Sequence, residues 1–254
     1  MINLKVEPSA LKKMLKTCMP FSEQQVFPIK FSKEKVQVNY ACGKLMVLAE
    51  FYPLYFRKYK CSQDELLIIT EHTIKELNYG FHSEYLDFWT DTKGIHIEGD
   101  ENSDKVCFHF IEPQETAKKP LVQLMVNYQN LLMPTKNENT FPLNVCAIVS
   151  ARELRRPYSG GKKAILPISW DGESLHTHKL RPFNHGKYEL SVEKFAFTGE
   201  PVIGYFKYHN FSDLAKQFRG QVWLGLGKTG LSLSQTTHTS KLTYILFADK
   251  VEVD

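Results

Sequence analysis

The chain lacks any pair of cysteines close enough in sequence to act together. Cys18, Cys42, Cys61, Cys107 and Cys146 are odd in number, widely spaced and contain no C-x-x-C. That pattern argues against a disulfide framework or a structural zinc site and fits a reducing, intracellular setting. Long apolar runs are missing too. The opening MINLKVEPSALKKMLK interrupts its hydrophobic residues with charge, and no window reaches the roughly 18 to 20 apolar residues of a membrane span, so neither export nor a membrane is expected. Nor does one sign of charge dominate. The 32 lysines and arginines against 28 acids leave +4 at pH 7, too small an excess to mark a nucleic-acid binder unless the cations share a face.

Catalytic signatures are absent as well. The chain contains no G-x-S-x-G elbow, no H-E-x-x-H and no supported pair of carboxylates. Gly225-Leu226-Gly227-Lys228-Thr229 imitates a phosphate loop, but the motif needs glycine at the place held by Val222, so a hairpin turn is expected there. Ser159-Gly160-Gly161-Lys162-Lys163 is a basic loop with no strand before it and no helix after it, hence no cradle of amide donors. His176 and His178 alternate along one strand but lack a third ligand at an evident spacing. Asp100, Glu101 and Asp104 would serve a metal-dependent nuclease, although a solvated loop explains them more simply. We expect no enzyme, no cofactor and no metal.

What is present is alternation. Period-two runs at Lys35 to Tyr40, Lys44 to Phe51, Tyr85 to Thr90, Gly94 to Glu98 and Lys105 to Ile111 predict antiparallel strands with one wet face. The second half repeats this at Leu143 to Val149, Ala164 to Ser169, Ser174 to Lys179, Lys187 to Val192, Val202 to Lys207, Gln221 to Leu226, Leu231 to Gln235 and Lys241 to Leu246. Turn chemistry punctuates them at Asp91-Thr92-Lys93-Gly94, Asp171-Gly172 and Gly227-Lys228-Thr229-Gly230. The order strand, short helix, several strands recurs in both halves, which predicts an α+β protein of two similar domains, each a duplicated β-α-β unit. The domains are placed at 1–126 and 142–254. The polar stretch 127–141, holding Pro134 and the apolar island Leu131-Leu132-Met133, is read as the connector.

Four short helical stretches punctuate the strands: Ser9 to Met19, Thr73 to Gly80, Ala151 to Tyr158 and His209 to Arg219. In the first, Leu11, Met14 and Leu15 fall on one face and leave Lys12, Lys13 and Lys16 on the others. The second turns Lys75 outward; the third offers Arg152, Arg155 and Arg156; the fourth packs Phe211, Leu214, Ala215 and Phe218 and leaves Lys216 and Arg219 free. Charged helix faces are usually only solvated. Four basic ones at repeated places in a β scaffold could form a positive surface that holds phosphate backbones without reading sequence.

These residues together resemble the ring-shaped DNA sliding clamps of the proliferating-cell-nuclear-antigen type. The resemblance covers essentially the whole chain and is carried by three stretches. They are Leu11-Lys12-Lys13-Met14-Leu15, the strand-turn-strand Ile165 to Leu175 with its Asp171-Gly172 turn, and the run from Tyr205-Phe206-Lys207-Tyr208 to Glu252. It implies a two-domain subunit, three of which close into a ring with four helices per subunit lining the hole and sheets outside. It further implies that Lys105 to Ile111 of one subunit pairs with Ser174 to Lys179 of the next. Double-stranded DNA would be the sequence-independent partner, polymerases and other replication and repair proteins the tethered ones, and an ATP-driven loader the device that opens the ring. The peptide of such partners would sit against Tyr40, Leu45, Leu131, Met133, Phe247 and Ala248. Asp249 stands where the family usually has proline. A non-encircling monomeric or dimeric polymerase accessory subunit is the alternative.

Overall fold

The computed structural model describes residues 1–18, 26–42, 44–70, 82–91, 94–99, 105–109, 143–155, 164–181 and 184–249. These fall into two compact units. The first takes in the described residues of Met1–Tyr40, Val47–Val126 and Thr236–Leu242; the second takes in those of Ala41–Met46, Asn127–Gln235 and Thr243–Asp254. The connector expected at 127–141 lies outside the described residues.

The first unit opens with β1 (Ile2–Val6) and α1 (Pro8–Cys18). In β1, Ile2, Leu4 and Val6 alternate into the core, while Asn3 and Lys5 stay half-buried. Pro8 suits the first turn of α1, where its missing N–H would have found no partner anyway. Seven further strands lie wholly or for the most part in this unit: β2 (Val26–Phe31), β3 (Val36–Cys42), β4 (Leu45–Phe51), β5 (Lys58–Cys61), β6 (Glu65–Thr70), β7 (Leu86–Thr90) and β8 (Gly94–Gly99). With β9 (Lys105–His109) they form one sheet in the order β5-β1-β7-β8-β9 and a second in which β2 pairs with both β3 and β6. Trp89 of β7 stacks on His96 of β8, with ring centroids 5.1 Å apart.

The second unit contains β10 (Val145–Ser150), α2 (Ala151–Leu154), β11 (Ile165–Trp170), β12 (Leu175–Arg181), β13 (Asn184–Glu189) and β14 (Val192–Thr198). It continues with β15 (Val202–Lys207), α3 (Tyr208–Ala215), β16 (Gln221–Gly227), β17 (Gly230–Thr236) and most of β18 (Ser240–Phe247). Its sheets run β14-β10-β16-β17 and β13-β12-β11-β15. Val145, Ala147 and Val149 of β10 are buried, and the alternate positions face outward. On that outward side Ile148 stands opposite Trp223, which is 42% exposed. Trp170 is instead buried, its indole N–H donating to the Gly199 carbonyl at 2.9 Å.

Most expected strands are present, and the Gly225 to Thr229 stretch is a hairpin in which Gly227 faces Gly230 across a two-residue turn. Four corrections follow. First, β1, β2, β5 and β6 are additional strands; β2 carries Pro28, a residue that speaks against a paired strand, yet it lies opposite Ile68 of β6. Second, Lys187 to Val192 is not one strand but the end of β13 and the start of β14, because the chain turns at Leu190 and Ser191 without breaking its alternation. Third, α2 spans four residues and α3 stops at Ala215, short of Arg219; the helix expected at Thr73 to Gly80 lies outside the described residues. Fourth, β12 is no edge: it pairs with β11 on one side and β13 on the other.

Candidate nucleic-acid interface and partner site

Helix α1 separates its two characters cleanly. Leu11, Met14, Leu15, Thr17 and Cys18 are buried, whereas Lys12, Lys13 and Lys16 are exposed and make no ion pair among the described residues. Two tyrosines fix the helix: Tyr55 donates to the Ala10 carbonyl at 2.9 Å and Tyr40 to that of Cys18. The second bond occupies one of the carbonyls that a helix C-terminus leaves unpaired. Full burial pushes the Cys18 thiol well above its ordinary range, so it is inert filling and no nucleophile.

In the second unit, α2 touches α3. Ser150 caps α2, its hydroxyl accepting the Arg152 amide at 3.2 Å. Arg152 and Arg155 are exposed, and Arg155 also donates from Nε to the Ala151 carbonyl at 3.0 Å. Glu153 does not dilute their charge at the surface, since it is 7% exposed and its carboxylate accepts the Tyr188 hydroxyl at 2.7 Å. Lys216, just past α3, pairs with Asp213 at 2.8 Å. Both side chains are largely solvated, so the pair is worth at most about 1 kcal/mol and a phosphate can compete for the ammonium. Arg219 turns its guanidinium back on the carbonyls of Lys216 and Phe218, each at 3.0 Å, closing the end of α3. Lys75 and Arg156 lie outside the described residues.

The expected peptide site divides differently. Leu131 and Met133 lie outside the described residues. Tyr40 and Leu45 are core residues, 3% and 1% exposed, so neither offers a partner much surface. Phe247 and Ala248 are half-buried and are held by residues that the sequence reading did not single out. The Phe247 amide donates to the Lys44 carbonyl at 2.8 Å, and the Ala248 amide to that of Thr229 at 3.0 Å. Asp249 donates its amide to the Tyr205 carbonyl at 2.7 Å, a bond that a proline at this place could not make. Its carboxylate pairs with the Lys44 ammonium, which also reaches the Ala248 carbonyl at 3.4 Å. The departure at position 249 thus has a structural role. It joins the chain after β18 to the β3–β4 turn, and no local spacing could have indicated a pair so distant in sequence.

Among the described residues no group of three or more His, Cys, Asp or Glu is placed to hold a metal. His176 meets Asp171 at 2.7 Å instead; the side chain of His178 and the Asp100, Glu101, Asp104 cluster lie outside what is described.

No family model and no curated protein sequence matches the chain. Solved structures do. The chain is similar over its full length, and over 100% of the other chain, to the A. fulgidus PCNA of a complex with the C-terminal region of FEN-1, with a TM-score of 0.74 at 12% identity. It is similar to the Proliferating Cellular Nuclear Antigen of Entamoeba histolytica over 98% of this chain and 99% of that one, with a TM-score of 0.73 at 13% identity. A chain of the PCNA2-PCNA3 complex from Sulfolobus tokodaii matches over 97% and 98%, with a TM-score of 0.68 at 13% identity. The fold is therefore that of the sliding clamps.

Proposed function

We propose that the chain is a subunit of a DNA sliding clamp, a processivity factor that encircles duplex DNA and tethers a polymerase and other replication or repair proteins. The observation that carries this reading is the bare lysine face of α1, with Lys12, Lys13 and Lys16 exposed over a buried apolar stripe, in a chain whose whole length takes the sliding-clamp fold. Arg152 on α2 and Arg155 directly after it, with Lys216 and Arg219 beyond α3, give exposed cations in the second unit as well.

The chemistry required is slight. Lysine and arginine contacts to phosphate are salt-sensitive and indifferent to sequence, which allows sliding. Retention comes from enclosure by a ring of three copies, and the gain for a tethered polymerase is effective concentration at the primer end. Such a ring acts inside the cell at sites of replication and needs an ATP-driven loader. The segment Phe247 to Asp249, braced by Lys44, is the described part of the surface that would receive partner peptides.

The test compares circular with linear DNA after loading. A ring stays on a closed circle and is lost from free ends; equal persistence on linear DNA would instead establish the non-encircling accessory subunit.

A further inference from the structure

Three exposed lysines surround the segment Phe247 to Asp249. Lys44 lies in the β3–β4 turn, Lys207 ends β15 and Lys228 stands in the β16–β17 turn, and all three belong to the second unit. We infer that the partner segment received at this surface is an acidic peptide, whose carboxylates meet these ammonium groups while its apolar residues cover Ile203 and Phe247. The inference rests on the partner-peptide reading above and adds the chemistry that selects the partner.

The backbone brings the lysines together. The Phe247 amide bonds the Lys44 carbonyl, and the Ala248 amide bonds that of Thr229, the neighbour of Lys228. Pro167 of β11 lies opposite Tyr205 and has no N–H to give, so the Tyr205 carbonyl turns away from β11 and accepts the Asp249 amide instead. Lys207 and Ile203 share the face of β15 that carries Tyr205, while Gly204 and Phe206 are buried. One short segment is thus tied to each of the three elements that bear a lysine.

The charges do not cancel. The side chains of Lys207 and Lys228 form no hydrogen bond or ion pair among the described residues. Lys44 is 46% exposed and is held by the Asp249 carboxylate, which is 16% exposed. Three cations against one acid favour an incoming carboxylate and repel an incoming cation, and charges at the rim of an interface choose partners more than they hold them. Asp249 is then an internal competitor, occupying Lys44 until a partner's carboxylate shares it. Apolar surface lies beside the charge: Ile203 is 45% exposed, and Tyr205, Phe247 and Ala248 are half-buried. A peptide brings aliphatic side chains to cover it, whereas a nucleic-acid strand brings phosphates and flat bases, so the peptide is favoured.

The probe is a randomised peptide library selected against the full chain, and Ala248→Trp, which fills the surface, identifies the peptides bound there. Those peptides are expected to carry more acids than bases. Exchanging their acids for amides, or introducing Lys207→Glu with Lys228→Glu, is expected to weaken binding about tenfold by fluorescence anisotropy, the product of a few exposed ion pairs. Asp249→Asn is expected to tighten it about threefold. If no recovered peptide responds to Ala248→Trp, both the partner surface and its selectivity are overturned. Responding peptides that are neutral or basic, or acidic ones unmoved by the lysine exchanges, would overturn the acidic selectivity alone. A single-stranded oligonucleotide that binds more tightly than every peptide, and is lost with the same two exchanges, would assign the surface to nucleic acid and overturn the peptide.

Discussion

At the scale of single residues, the turn between β11 and β12 concentrates the clearest chemistry. Gly172 adopts φ +107°, where a side chain is strained, so Gly172→Ala is expected to cost about 1 to 3 kcal/mol in urea denaturation although its Cβ would meet nothing closer than Pro201 at 3.8 Å. Asp171 accepts the amides of Ser174 at 2.9 Å and Glu173 at 3.1 Å. Those two bonds, then Lys187 and His176, hold its carboxyl well below the usual carboxylate range. A depressed carboxyl stabilises the folded chain fully above the unfolded value of about 4, and that contribution is lost as pH falls through the folded value. NMR titration is expected to find Asp171 ionised at about pH 3, and Asp171→Asn to reduce the loss of stability on acidification. Aspartate followed by glycine marks this turn in the sequence. The Lys44–Asp249 pair and the burial of Glu153 by Tyr188 are illegible there, because each joins residues that only the folded chain brings together.

At the scale of elements, period-two alternation reveals a strand wherever one face is wet, as in β8, β10 and β12. It fails where the signal is short or contradicted: β1 has five residues directly before a helix, β2 contains Pro28, and the corner between β13 and β14 keeps the alternation going through a change of direction. Helix α1 is legible in its apolar spacing, but the ends of α2 and α3 are not, since capping competes with local propensity over a few residues. α2 has only four residues, so its cap matters more than it would in a long helix. Ser150→Ala is expected to cost about 1 kcal/mol by thermal denaturation and, by loosening the turn that carries Arg152 and Arg155, to weaken DNA retention.

At the scale of the whole molecule, a net charge of +4 says little by itself, and the proposed sequence-independent DNA surface is tested through the exposed lysines of α1. Lys12→Glu, Lys13→Glu and Lys16→Glu together should leave the melting temperature nearly unchanged, because all three side chains are exposed, while shortening retention on circular DNA and flattening its salt dependence. Retention that is unchanged at every salt concentration would remove α1 from the DNA-facing surface.

The tryptophans divide in a way that makes the chain its own optical instrument. Trp89, stacked on His96, is the sole indole of the first unit; the second has Trp170 in dry surroundings and Trp223 in water. Emission from the second unit therefore contains both a blue and a red component, and replacing Trp89 by phenylalanine silences the first unit alone. Without any attached dye, a denaturation series on that pair of proteins would distinguish two units that melt as one from two that melt in turn.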